Sequence, residues 1–395
     1  MRKPLLPCLT ATLLASLLWA AAPASAQVIM TPRLLPTNPA LIRNINLNRR
    51  MTNFKPEVNG FRFYNSFKIV TGIGDITANG LCGGMVYTAL DYFQTGVPLP
   101  TQDYTPAPGT RLQSYISGRH ITSLANVMPK WLELHGNAFG ARNSEFFNWG
   151  LQGFGGGRLQ ELKTEIDAGR PVPLGLKSLS ADPSNDHVIL AVGYDTGRYK
   201  GDLGEFKDDL KIFVYDPNSA NHMQTLYPVS SEQKYCMNYD NGPHCWRAYF
   251  VMNGAWSAQT PPAISSAAKE LQIAFQTGGD DLRGGNDNVS VDINLQDGST
   301  IHRDNVNLGQ RWIDNTWQDI GIDLPDSVTP ASIQSVRFTT SFRGGFDGDN
   351  WNMDRIIIQF RDSSGTPARC DRNPDPKPLM RFTGDRREFT TPFPC

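Results

Sequence analysis

The cysteines constrain this chain more than any other feature. The 395 residues include six of them, and five (Cys82, Cys236, Cys245, Cys370 and Cys395) lie well beyond the N-terminal leader-like stretch. Cys236 and Cys245 bracket "CMNYDNGPHC", a short loop whose Asn-Gly-Pro marks a turn, and Cys370 and Cys395 bracket a Pro-rich tail. Two local disulfides, Cys236–Cys245 and Cys370–Cys395, are the economical pairing in an exported chain. Each would contribute about 2–4 kcal/mol by restricting the unfolded state. Cys82 is left over, between glycines in "ANGLCGGMVYTALDYF". Such a thiol is either an inert buried side chain or a group kept free for chemistry.

Export itself is read from the start of the chain. "MRKPLLPCLTATLLASLLWAAAPASA" has Arg2 and Lys3, an apolar run from Leu13 to Ala22, and the small triplet Ala24-Ser25-Ala26. This reads as a signal peptide over residues 1–26 that removes Cys8 on cleavage. No later stretch approaches the roughly 20 apolar residues of a spanning helix. The expected protein is therefore secreted or periplasmic, with no membrane span. Lys and Arg number 37 against 38 Asp and Glu. With no basic stripe interleaved with aromatics, nucleic acid is excluded as a partner.

Residues 27–58 are polar and rich in Pro and Asn, and read as an extended lead-in. "GFRFYNSF" suggests a first strand. After Cys82, Val86, Ala89, Leu90 and Phe93 follow the spacing of a one-faced helix, closed by Gly96 and Pro98. Residues 95–125 read as a polar connection, and "GRLQELKTEIDAG" as a second helix. The preceding "GFGGGR" lacks the Lys-Ser/Thr of a phosphate loop and reads as a turn. "PVPLGLKS", "HVILAVGYD" and "LKIFVYD" read as strands. Past "TPPAISSA", short alternating segments ("LQIAFQTG", "VSVDINL", "IQSVRFTTSF", "DRIIIQF") are separated by Gly, Asn or Asp, as in an all-β sandwich.

A thiol attacks as thiolate, and a helix N-terminus, with roughly half a positive charge, favours that anion. Cys82 is predicted at such a terminus. Gly80, Gly83 and Gly84 around it would let a substrate backbone approach, and the helix-start N–H groups would face a developing oxyanion. A base is also needed. His187 opens one apolar strand and Asp216 ends the next. If those strands pair antiparallel, the carboxylate lies beside the imidazole and orients it. Singly, His187 reads as a surface histidine and Asp216 as part of an Asp-Pro-Asn turn. At two ends of one hairpin they read as a pair.

These segments carry a resemblance. "NGLCGGMVYTAL" resembles the nucleophile segment of papain-like cysteine peptidases, especially the secreted staphopain-type branch. "DHVILAVGYD" followed by "KIFVYDPN" is similar to the His and Asp strands of that superfamily, in the manner of double-glycine leader peptidases. The resemblance covers about residues 60–255. It implies Cys82 as nucleophile, His187 as general base then acid, and Asp216 as its orienter. It also implies a peptide or protein substrate and no cofactor for catalysis. The family usually has a glutamine six positions before the cysteine to complete the oxyanion hole, and here that residue is Ile76. Asn79 and Thr77 are the candidate replacements, since loss of one such donor typically costs about 100- to 1000-fold in rate. Trp246 and Tyr249, in "WRAYFVMNGAW", read as core aromatics of a closing strand, with cleft lining as the alternative.

"TGGDDLRGGNDNVSVDI" and "FDGDNWNMDRIIIQF" together resemble the lipoxygenase-homology (PLAT-type) sandwich over about residues 268–361. That resemblance implies a module attaching the enzyme to a lipid, glycan or protein surface. Asp280, Asp281, Asp287, Asp349 and Asp354 gather oxygens there, as a structural calcium site requires, while Asx-rich turns need no metal. The expected architecture is an α+β papain-like cysteine-hydrolase domain (59–258), a linker (259–267), an all-β sandwich (268–361) and a disulfide-tied tail (362–395). The expected function is a thiol-dependent hydrolase, with a secreted non-catalytic binding protein on the same frame, or a toxin-like deamidase or transglutaminase, as alternatives.

Overall fold

Helical and strand signals alternate in the first half of the chain, and the second half is strands alone. The computed structural model describes residues 48–70, 77–137, 140–180, 182–265, 268–343, 348–364 and 368–395, without the side chains of 68–70 and 77–79. The expected signal peptide and residues 27–47 of the lead-in lie outside the described residues.

Strand β1 (Arg49–Met51) and helix α1 (Pro56–Asn59) come first, followed by a two-stranded ribbon of β2 (Lys68–Val70) and β3 (Thr77–Asn79). Part of the expected lead-in is therefore structured: β1 pairs with a strand of the main sheet, Arg49 opposite Asp195. The strand expected over "GFRFYNSF" is absent, and those residues run as irregular chain whose Phe61, Phe63 and Phe67 are buried. Aromatic enrichment there reflects core packing without a strand partner. Helix α2 (Cys82–Thr95) starts at the predicted cysteine, buries every residue from Gly83 to Tyr92, and stops where Gly96 adopts a φ of 70°. Left-handed backbone of that kind suits glycine at a helix end.

Helices α3 (Arg111–Ala125), α4 (Met128–His135), α5 (Asn143–Leu151) and α6 (Arg158–Asp167) complete the helical part. The polar connection expected over 95–125 is corrected by α3. Its buried face is Leu112, Ile116, Arg119 and Ser123, so only two of the four inward positions are apolar and the periodic signal is diluted. Arg119 is accepted inside because its guanidinium pairs with buried Asp91 at 2.7 Å and also donates to Ser257 O.

Strands β4 (Val172–Ser178), β5 (His187–Asp195), β6 (Lys211–Tyr215), β7 (Met223–Val229), β8 (Lys234–Tyr239) and β9 (Gly242–Val251) pair antiparallel. The pairing of β5 with β6 closes the order β5-β4-β9-β8-β7-β6 into a barrel, which leaves these six strands no free edge. "CMNYDNGPHC" is a β-hairpin and not a loop, with Cys236 directly opposite Cys245 and Tyr239 opposite Gly242.

The second half packs two sheets face to face. One contains β10 (Lys269–Thr277), β13 (Trp317–Leu324), β15 (Trp351–Arg361), β16 (Ala368–Arg372) and β17 (Met380–Phe382); the other contains β11 (Val289–Leu295), β12 (Thr300–Arg303), β14 (Ile333–Thr340) and β18 (Glu388–Pro392). Period-two burial along β10 sends Leu271, Ile273 and Phe275 into the core. Each such side chain contributes about 1.5–3 kcal/mol on burial. The tail expected over 362–395 is corrected as well. β16 and β17 pair with β15, β18 pairs with β14, and Cys370 and Phe393 are core residues. The segment is short on apolar residues because it supplies edge strands.

The two halves meet along residues 104–111. Gly321 N–H donates to Pro108 O at 2.6 Å, Arg111 N–H to Asp323 Oδ2 at 2.9 Å, and Tyr104 hydroxyl to Ala268 O at 3.0 Å. A side chain at Gly321 would fall 2.7 Å from Ala107 Cβ, so this close approach requires glycine.

Candidate active site

Cys82 is the first residue of α2, partly exposed and a free thiol, while Cys236–Cys245 and Cys370–Cys395 are disulfides. The glycines beside it divide into two roles. Gly80 has a φ of 89°, and a Cβ there would lie 2.5 Å from Asn65 Nδ2. Gly83 and Gly84 are buried, where a Cβ would meet Ser123 Oγ and Ile116 O at 2.1 Å each. The expectation that these two open a path for substrate is corrected: they allow α2 and α3 to touch.

His187 opens β5 and Asp216 follows β6, and the antiparallel pairing of those strands brings the two together. His187 Nε2 lies 2.7 Å from Asp216 Oδ1. The ring is 6 % exposed and the carboxylate 0 %. Burial opposes a charged ring, but the Asp216 carboxylate and the hydrogen bonds to Asp216 and the Cys82 thiol outweigh it. The imidazole is pushed up to about 10. Burial likewise opposes a charged Asp216, yet the His187 charge and the donors around it hold the carboxyl below its ordinary range. A second histidine, His120, abuts Gly83, and burial pushes it down to about 4. It is neutral at pH 7, so the positive charge near the helix start belongs to His187.

Sequence reasoning missed several neighbours. Tyr239 donates its hydroxyl to Asp216 Oδ2, and Asn218 N–H donates to Asp216 Oδ1 at 2.8 Å. Asn65 accepts from Leu81 N–H at 2.6 Å, donates its backbone N–H to Pro217 O at 3.1 Å, and reaches Asn218 Oδ1 with its amide at 3.2 Å. It joins the residue before the thiol to the turn after the carboxylate. Asp186, next to His187, accepts from Lys177 Nζ at 2.7 Å and from Ser178 N–H at 3.0 Å. Only Tyr239 had a detectable cue, as an aromatic inside a disulfide bracket. Trp246 is buried with its ring stacked on His187 at 6.2 Å, whereas the Tyr249 hydroxyl donates to Gly150 O within the core.

Thr77 and Asn79 occupy β3, and their side chains lie outside the described residues, as does Ile76. Four of the five sandwich aspartates pair with basic side chains. Asp280 pairs with Arg381 at 2.8 Å, Asp281 with Arg311, Asp349 with Arg283 at 3.3 Å, and Asp354 with Lys377 at 3.8 Å. Among the described residues no group of three or more His, Cys, Asp or Glu is arranged to hold a metal.

A free thiol at a helix start, facing a buried imidazole–carboxylate pair, is the arrangement thiol hydrolases use. Residues 94–249 match the Peptidase_C39 like family, within the papain-like cysteine peptidase superfamily. The matched span holds His187, Asp216, Tyr239 and Trp246, and Cys82 stands just ahead of it. Among solved structures, the chain is similar to the alpha-toxin of Clostridium perfringens avian strain SWCP, at 18% identity and a TM-score of 0.25 over 31% of each chain. It is also similar to Delta413-417:GS LOX, at 14% identity and a TM-score of 0.23 over 32% of this chain and 16% of that one. The chain spans about a third of the toxin's length and about a sixth of the LOX chain's. No curated protein matches the chain significantly. No helix among the described residues is long and apolar enough to cross a membrane.

Proposed function

We propose that the protein is an exported cysteine peptidase acting on peptide or protein substrates. The observation that carries this reading is the convergence of Cys82, His187 and Asp216 from three separate elements on one buried imidazole. His187 takes the proton of the Cys82 thiol as the sulfur becomes the nucleophile. The sulfur attacks the scissile carbonyl carbon, and the N–H groups at the start of α2 face the oxygen that gains charge. His187 then gives its proton to the departing nitrogen as the C–N bond breaks, which leaves a thioester on Cys82. A water molecule attacks the thioester while His187 takes one of its protons, and the acid product leaves with the thiolate restored. Asp216 keeps the ring oriented and its charge balanced throughout.

Export is supported by the leader reading of residues 1–26 and by two disulfides. The C-terminal sandwich serves as the attachment module, toward a lipid, glycan or protein surface, and takes no part in the chemistry. The test is alkylation of Cys82 with iodoacetamide at pH 6 alongside hydrolysis of a denatured protein substrate. Rapid labelling lost in His187→Ala, with hydrolysis lost in Cys82→Ala, is the expected result. Sluggish labelling indifferent to His187→Ala would overturn the reading and favour a binding protein on the same frame.

A further inference from the structure

We infer that Tyr239 is a positioning residue for the catalytic imidazole, acting through Asp216 from the tip of the disulfide-stapled hairpin. The inference rests on the reading of Cys82, His187 and Asp216 as catalytic and adds a fourth member to them. Asp216 is fully buried and its two oxygens are served differently. Oδ1 accepts from His187 and from Asn218 N–H, while Oδ2 accepts from the Tyr239 hydroxyl. Without that hydroxyl, a desolvated carboxylate oxygen loses its donor, and a buried charge is poorly tolerated in that state. The titratable groups facing Asp216 are His187 from β5, Tyr239 from β8, and Tyr215, its chain neighbour, whose hydroxyl accepts from Phe61 N–H. His244 from β9 packs on the Tyr239 ring at 5.0 Å, and Cys82 lies beyond His187.

The hairpin explains how a tip residue holds a fixed place. Cys236 and Cys245 face each other across the ladder, and Tyr239 faces Gly242 at its end. The staple limits fraying of the two-residue turn, so the hydroxyl stays aimed at Oδ2.

The experiment is the pH dependence of Cys82 alkylation by iodoacetamide in the full chain, comparing wild type, Tyr239→Phe and His187→Ala. Phenylalanine keeps the ring and its packing and removes only the donor. In Tyr239→Phe, Asp216 takes up a proton sooner on acidification and releases its hold on the imidazolium. The pH at which labelling falls to half is expected to rise by about one unit, the size of a hydrogen bond to a buried charge. A superimposable profile, or a uniform slowing with an unmoved midpoint, overturns the positioning role while the wild-type dependence on His187 still stands. Labelling that His187→Ala leaves unchanged overturns the catalytic reading and this inference together.

Discussion

Asn65 Oδ1 accepts the backbone N–H of Leu81 at 2.6 Å, and this single contact ties an irregular loop to the residue that precedes the free thiol of Cys82. The same side chain lies against Gly80, where a Cβ would fall 2.5 Å from its amide nitrogen. Asn65→Ala leaves the Leu81 donor unpaired next to a buried side chain. A loss of about 1–3 kcal/mol in unfolding free energy is expected, together with slower alkylation of Cys82. Gly80→Ala is expected to be worse than Gly→Ala at an ordinary site, since a left-handed φ and a steric overlap act together. Denaturant midpoints for the two variants check this, and unchanged midpoints for both would remove Asn65 from the site's support.

Asp91 and Arg119 join the two packed helices α2 and α3. Asp91 is fully buried and accepts from Arg119 Nη2 at 3.0 Å, Tyr115 hydroxyl at 2.8 Å, Trp256 Nε1 at 3.1 Å and Gln259 N–H at 3.1 Å. Trp256 and Gln259, just ahead of the sandwich, are therefore anchored to α2. Asp91→Ala strands a guanidinium in the interior, an event that typically costs about 3–5 kcal/mol. Calorimetry of the full chain is the measurement. A fall in melting temperature too small to represent 1 kcal/mol would show that water or repacking rescues Arg119.

The readable and the unreadable parts of this site differ for physical reasons. Cys82, His187 and Asp216 were legible because each sits at the end of a regular element, and element ends are marked by apolar periodicity and by Gly or Pro. The α2 stripe carried that periodicity plainly, and β4 and β5 showed as short continuous apolar runs buried almost throughout. Asn65 was not legible, because one hydrogen bond across 16 residues leaves no periodic trace, and Tyr239 showed only as an aromatic inside a disulfide bracket. Helix α3 was hidden by Arg119, a charge on its inner face, and β16 to β18 were hidden by half-polar edge positions. The pairing of four sandwich aspartates with Arg283, Arg311, Lys377 and Arg381 was not legible either, because each contact joins residues far apart along the chain.

The Cys236–Cys245 bond stabilises the hairpin that ends at Tyr239. Replacing both cysteines with serine is expected to lower unfolding free energy by about 2–4 kcal/mol. Because the break is local, Cys82 alkylation is expected to slow in the same variant at temperatures where the fold persists. The complementary removal of Cys370–Cys395 by paired serines is expected to destabilise the sandwich and leave the alkylation rate unchanged. Labelling followed by intact mass measurement separates the two cases. Equal slowing in both pairs would mean that global softening, and not the hairpin, controls the thiol.

Glu270 lies in the seam between the two halves and gives the interface a pH dependence of definite sign. It is 3 % exposed, and its carboxylate accepts from Ala107 N–H at 3.2 Å, with Arg361 Nη1 at 3.7 Å. Burial dominates and raises the carboxyl to about 7; the Ala107 N–H and Arg361 pull the other way, and Asp323 adds to the rise. The folded value stands above the unfolded one, so the protonated side chain is the form the fold prefers. Its contribution is fully present below about pH 4.5 and is lost as pH rises through about 7. Glu270→Gln keeps the shape and an acceptor while removing the titration. The variant and the wild type are expected to have matching stabilities near pH 4.5, and at pH 8 the variant is expected to be more stable by up to about 3 kcal/mol. Urea unfolding across that range is the check. A variant less stable than wild type at pH 8 would mean that the Arg361 ion pair, and not the cost of burial, governs this seam.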